Sequence, residues 1–431
     1  MIDMRRHLCI LLLAFVVKAN AQNPAPASNQ QEAILILNGI AHLGNGRVIQ
    51  NSAIGFQDGK LTLVGDATVI KIDRNAYPRI IEATGKHIYP GLIECNSTLG
   101  LTEIDLVRAT RDYGEVGTLN PNVRSLIAYN TDSKIIPTVR SNGVLLAQIV
   151  PEGQFVTGQS SVVELDAWNW EDAAYKTDIG IHIIWPRMYV VPNHPKETEE
   201  AQRDKIREEL FTLEKLFNDA RSYSKSVSEE KNVKLEAMRG LFDGSRSLYV
   251  HCDYVKQIVA AVNICKQYGM KMVLVGGADA YLVTDLLKAN NIPIVLGRQH
   301  SLPFRDDDDI DLPYRLPSIL KEAGITYALS VEGSWQERNL MFNAGTAAAY
   351  GLSREEALEA ITSSPAKILG IDQTVGTLTT GKDATLIISD GDILDMRTSQ
   401  VTHAFIRGKE IDLDNVQTQL YNKYLKKYGI N

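Results

Sequence analysis

GLIECNSTLG, residues 91–100, begins apolar, turns polar at Glu94 and stops at Gly100. With the preceding HIYP it reads as a β-strand that carries Asn96 and Thr98 at its polar end. Seven more β-rich runs follow it: GVLLAQIVP, SSVVELD, GIHIIWP, SLYVHCDY, KMVLVGG, IPIVLG and TYALSVEG. Helical patterns such as DYVKQIVAAVNICKQYG, DAYLVTDLLKANN and LPSILKEAG alternate with them. The alternation predicts a parallel sheet built from βα repeats over 86–370, and eight runs predict its closure into a barrel. Residues 196–240, with Leu and Phe at helical spacing in REELFTLEKLFNDA, predict a long, charged, exposed helical insertion.

Outside this block the pattern changes. AILILNGIAHL, SAIGFQDGKLTLVG and PRIIEATG, within 32–85, are short strands separated by Gly-Asn-Gly and Asp-Gly turns. ATLIISDGDI and VTHAFIRGKEI, within 371–411, are strands again. Neither group makes a stable sheet alone, so the two are expected to form one discontinuous β-sandwich beside the barrel. Residues 412–431 predict a terminal helix with Lys426 and Lys427 in its last turns, where the helix dipole favours cations.

At the other end, MRRH, the apolar run LCILLLAFVV and Ala19-Asn20-Ala21 have the order of a cleavable secretory signal over 1–21. A polar linker, residues 22–31, follows it. The reading is therefore a secreted, periplasmic protein with no membrane attachment after cleavage. The 431 residues are 44% hydrophobic and 23% charged, a balance that supports a packed core. A net charge of -7 without a basic cluster argues against a nucleic-acid surface, because phosphate binding needs grouped Lys and Arg. Cys95, Cys252 and Cys265 cannot all pair and are expected to be buried core residues.

Three phrases in order, GKHIYPGLIE, SREEALEAITSSPAKILGI and VGTLTTGKDATLIISDGDILD, give the chain its resemblance to the amidohydrolase superfamily. The branch it resembles is the one similar to imidazolonepropionases, and the likeness covers nearly the whole mature chain. The resemblance implies an α/β fold, a TIM-like (β/α)8 barrel with metal ligands at the C-terminal ends of its strands. The implied set is a His-x-His pair on strand one, Lys or Glu on strand four, His on strands five and six, and Asp on strand eight. Strand one instead offers Asn96 and Thr98, and strand six offers Gly276 or Gly277. His251 falls on the strand-five position, Glu332 near the strand-eight position, and His182 on strand four.

Two imidazoles and a carboxylate, His182, His251 and Glu332, are chemically sufficient for one Zn²⁺ or Fe²⁺ with open positions for water. Glu332 is the candidate base, and Asp253, on the same strand face as His251, a candidate acid or base. Asn96, Thr98 and His300 are candidate substrate contacts. WNWED, residues 168–172, is expected either to line a pocket or to cover a barrel end, and RDDDDIDLP, residues 305–313, to be a solvated loop near the mouth.

Two readings follow. One is an exported hydrolase of carbon–nitrogen bonds other than ordinary peptide bonds, acting on small molecules such as cyclic amides, N-acyl amino acids or dipeptides with a reduced, mononuclear metal site. The other is a metal-free, catalytically degenerate binding or partner protein of the same fold, assembled with a paralogue or a second copy. Function resides in the site rather than the scaffold, so residue positions must choose between them.

Overall fold

The computed structural model describes residues 25–225 and 230–430; the expected leader, 1–21, lies outside the described residues. The eight expected runs form one sheet in sequence order. Its strands are β1 Leu92–Ser97, β2 Val144–Ile149, β3 Val156–Glu164 and β4 Ala174–Ile184. They continue as β5 Ser247–Cys252, β6 Met272–Gly276, β7 Ile294–Leu296 and β8 Tyr327–Leu329.

The chain is a mixed α/β protein with a nearly closed barrel and a separate sheet. One strand departs from the parallel repeat, for β3 runs antiparallel to both β2 and β4. The connections explain this. Only a short segment separates β2 from β3, and a parallel return needs a crossover of about a dozen residues or more. The reversal moves the loop after β3 away from the ends of β4 and β5, so Trp168 and Trp170 do not border the cleft at those ends. Trp168 instead lines a second hollow with Tyr129 and Arg140.

The run HIYPGLIEC is divided between the two sheets. His87–Pro90 pairs with Leu386–Ser389 of the outer sheet, whereas Leu92 begins the barrel. The bend falls at Gly91, where a Cβ would lie 2.8 Å from Leu145 Cδ1 and from Thr385 Cγ2. The outer sheet also has eight strands and joins the N-terminal strands Ile34–His42 and Val48–Gln57 to the C-terminal Val401–Ile406 through His87–Pro90. Its strands are hydrogen-bonded in one continuous order, yet Phe56 and Phe405, four strands apart in it, have ring centroids 5.1 Å apart, so the sheet folds back over a core that also includes Ile36, Ile88 and Leu386.

Backbone pairing links β1 to β8 through the other six strands but does not close the ring. Side chains stitch the seam. Val331 N–H donates to Glu94 Oε1 at 3.0 Å, Ser330 O–H to the Cys95 carbonyl at 2.9 Å, and Ser97 O–H to Glu337 Oε1 at 2.7 Å.

The insertion folds as α1, Glu199–Lys225, and α2, Val233–Asp243. It is docked rather than merely exposed: Leu213, Phe217 and Ala220 of α1 are buried in the main core. Phe217 lies 5.5 Å, centroid to centroid, from Tyr268 at the end of α3, Val255–Tyr268. Phe217→Ala is expected to cost about 3–5 kcal/mol. A fall in the denaturant midpoint, with α1 the first segment to lose amide-exchange protection, checks this. The last helix, Val416–Tyr428, starts on an Asn415 cap and buries no residue. Among the described residues, no helix is long and apolar enough to cross a membrane.

Candidate functional site

The ends of β1, β4, β5 and β6 face a cleft of about 860 Å³. Asn96, His251, Asp253, Gly276 and Glu332 form its barrel side. The segment after β4, including Trp185, Arg187 and Tyr189, forms a second wall, and Gln202, Lys205, Ile206 and Glu209 of α1 form a third. The docked insertion therefore shapes the cleft. The sequence carries a hint of this in the spacing of Gln202, Ile206, Leu213 and Phe217, which marks a helix face too apolar to remain wholly in water.

The two barrel imidazoles meet. Tyr249 and His182 are register partners on β5 and β4, and His251 reaches across so that its Nε2 lies 2.9 Å from His182 Nδ1. His182 is fully buried, stacked on Tyr249 with ring centroids 4.5 Å apart, and its Nε2 lies 2.8 Å from Ser160 Oγ. Gln148 Nε2 donates to Ser160 Oγ at 3.0 Å, and Asn96 N–H donates to Gln148 Oε1 at 3.2 Å.

Donor and acceptor accounting along this chain fixes both tautomers. A backbone N–H can only donate, so Gln148 Oε1 accepts and its Nε2 donates to Ser160. Gln148 Nε2, which can only donate, also faces His182 Nε2 at 3.5 Å, so that nitrogen accepts and the Ser160 hydroxyl hydrogen is directed to it. His182 must carry its proton on Nδ1 and give it to His251 Nε2. His251 consequently carries its own proton on Nδ1, which has no protein partner among the described residues, on a ring that borders the cleft. Burial, with the nearby His251, holds His182 well below the usual imidazole value, and burial lowers His251 to about 4. Both rings are neutral at physiological pH.

This arrangement does not fit the expected metal. A site that holds one such ion needs at least three protein ligands converging on one point, and the structure brings together only the two imidazoles. Glu332 lies at the exposed rim of the cleft and does not complete the set. Among the described residues, no three His, Cys, Asp or Glu side chains converge as ion ligands. The expectation of one Zn²⁺ or Fe²⁺ held by His182, His251 and Glu332 is therefore corrected: the imidazoles come together, but as links in a hydrogen-bonded chain.

Other expected residues separate. Asn96 lines the cleft from a left-handed backbone position, φ 54°, at the irregularity ending β1. Thr98 does not border the cleft, because the irregular backbone turns the chain away after Asn96. His300 is drawn off by Thr346, whose Oγ1 lies 2.6 Å from His300 Nε2. Asp253 borders the cleft and accepts from Ala278 N–H at 3.2 Å. Burial raises its pKa, and the charges of Glu332 and Asp279 raise it further. Trp185 also borders the cleft, and its buried indole N–H has no protein partner among the described residues.

Gln148 and Ser160 were not singled out by sequence reasoning. The available signal was a polar residue inside each of the apolar runs GVLLAQIVP and SSVVELD, since a polar group buried among apolar neighbours needs a bonding partner. Ser160→Ala is expected to leave His182 Nε2 with only the longer contact to Gln148 Nε2, 3.5 Å, and to cost about 1–3 kcal/mol. Imidazole ¹⁵N spectra should then show mixed tautomers at His182 and His251, where the parent protein shows Nδ1–H on both.

With this geometry in place, three likenesses are informative. The pattern of the amidohydrolase family matches residues 314–412. An imidazolonepropionase of Mesorhizobium japonicum is 23% identical over 382 residues, 82% of this chain and 88% of that protein. The crystal structure of an amidohydrolase from Thermotoga maritima superposes with a TM-score of 0.75 at 25% identity, over 88% of this chain and 99% of that one. Together they support the assignment of the chain to the amidohydrolase superfamily, on the side similar to imidazolonepropionases.

Proposed function

We propose that the chain is an exported hydrolase of carbon–nitrogen bonds in small molecules, such as cyclic amides, N-acyl amino acids or dipeptides, that uses its own side chains rather than a resident metal. The observation that carries this reading is His251, which borders the cleft at the end of a buried hydrogen-bonded chain that occupies its Nε2 and leaves Nδ1 as its donor. A fixed neutral donor of this kind stabilises the negative charge that develops on a carbonyl oxygen under attack.

Asp253, held above the usual carboxylate range, is suited to take a proton from the attacking water. The C–O bond forms, the C–N bond breaks, and the proton on Asp253 passes to the departing nitrogen. Export is part of the proposal, with cleavage after Ala21; N-terminal sequencing of secreted protein to Gln22 checks it.

A binding or partner role is the second reading. Asn96, Thr98 and Gly276, standing where the resemblance implies three imidazoles, favour it. The deciding experiment incubates purified chain with cyclic amides and N-acyl amino acids, with chelator or with added Zn²⁺, and follows amine release. Turnover that is unchanged by chelator, in protein retaining less than one zinc per chain after dialysis, supports the hydrolase. No turnover under either condition moves the conclusion to the binding role, for which co-purification with a paralogue or a second copy is the next measurement.

A further inference from the structure

A second hollow, about 260 Å³, opens off the main cleft and shares Asp253, Gly276, Phe304 and Glu332 with it. It exists because β6 and β7 end in glycines. At Gly276, φ +93°, a Cβ would sit 2.6 Å from Asp253 Oδ1, so the close approach of that carboxylate requires glycine. At Gly297 a Cβ would meet only Glu332 Oε1, at 3.6 Å, which leaves the space beside it open. Leu296, Leu302, Leu312 and Leu316 line the hollow and make its walls apolar.

Its polar groups are mostly acceptors. Asp253 and Glu332 stand where the hollow joins the cleft. Gln299, 3% exposed, also lines the hollow; its Nε2 donates to the Gly297 carbonyl at 2.8 Å, and its Oε1 has no partner. Two carboxylates against one exposed guanidinium, Arg298, leave the wall net negative. An apolar chamber with this rim suits a ligand that brings hydrogen-bond donors and positive charge along with a hydrocarbon group.

We infer that this hollow receives the apolar side chain of a substrate whose primary ammonium group sits between Asp253 and Glu332, the chemistry of a hydrophobic amino-acid amide or a dipeptide with a free N-terminus. The assignment of the amide carbonyl to His251 rests on the proposed function; the seat for the side chain and ammonium does not. A cavity of roughly 150 Å³ accommodates a benzene ring, so a leucine-sized or phenylalanine-sized group fits here.

The test is calorimetric titration of the purified full chain with L-leucinamide, glycinamide and 4-methylpentanamide, which separate the apolar group from the amine. L-leucinamide is expected to bind at least about tenfold more tightly than either of the others. Gly297→Leu should remove its advantage over glycinamide by filling the hollow. Gly297→Ala, whose added carbon meets an ordinary contact, gives a smaller loss and serves if the leucine variant does not fold. Asp253→Asn should weaken L-leucinamide and leave 4-methylpentanamide unchanged. Equal binding of all three probes, or binding of none, overturns the inference. Tight L-leucinamide binding without ammonia release keeps it and removes the hydrolase reading; turnover of other amides without the L-leucinamide preference does the reverse.

Discussion

His251→Ala is expected to lower kcat/KM for carbon–nitrogen hydrolysis by about 10²–10³-fold, the usual loss when one preorganised donor to a developing oxyanion is removed. The fold should survive, because His251 borders the cleft rather than filling the apolar interior of the barrel. Two outcomes separate this role from metal ligation. Added Zn²⁺ should not restore activity, and the parent protein should show no zinc stoichiometry for the variant to lose. Ser160→Ala, two links away, should reduce activity less, since His251 remains in place and only its preferred tautomer is released. A variant as active as the parent would remove the donor chain from catalysis and leave the binding role.

The second large effect is on stability. Glu94 and Glu337 are both fully buried at the barrel seam, and each has one carboxyl oxygen without a partner. Burial, reinforced by the charge of Glu337, raises Glu94 well above its ordinary value, and burial raises Glu337 to about 8. The sign follows directly. A carboxyl whose folded pKa lies above its unfolded value contributes stability that is fully present below the unfolded value, about 4.5, and is lost as pH rises through the folded value.

The protein is therefore expected to weaken progressively from about pH 4.5 to about pH 8 and to level off above that, by at most about 5 kcal/mol for Glu337. Glu337→Gln should flatten that profile, because an amide keeps the shape and cannot ionise. Denaturant midpoints measured across this range check the prediction. An unchanged slope in the variant would mean that the seam is not the titrating element.

These two sites lay at different depths in the sequence. GLIECNSTLG announced a first barrel strand, and the eight alternating runs announced the number of strands that follow, because strand and helix periodicities are local properties of the chain. The departure from the family's ligand pattern at Asn96, Thr98 and Gly276 was equally legible, being a matter of residue identity alone. His182 and His251 were visible as candidates, but their relation was not. Sixty-nine positions separate them, and only the register of β4 on β5 brings one nitrogen to 2.9 Å from the other.

The sequence by itself determined the strands, the helices, the resemblance, and Asn96, Thr98 and Gly276 at positions where that resemblance implies imidazoles. Only the tertiary structure decided which way β3 runs, that the insertion forms a wall of the cleft, that Glu94 meets Glu337, and that the surviving imidazoles spend their lone pairs on a hydrogen-bonded chain. Local propensity is written in neighbours along the chain, whereas hydrogen-bond direction depends on which donors and acceptors the closed barrel sets face to face.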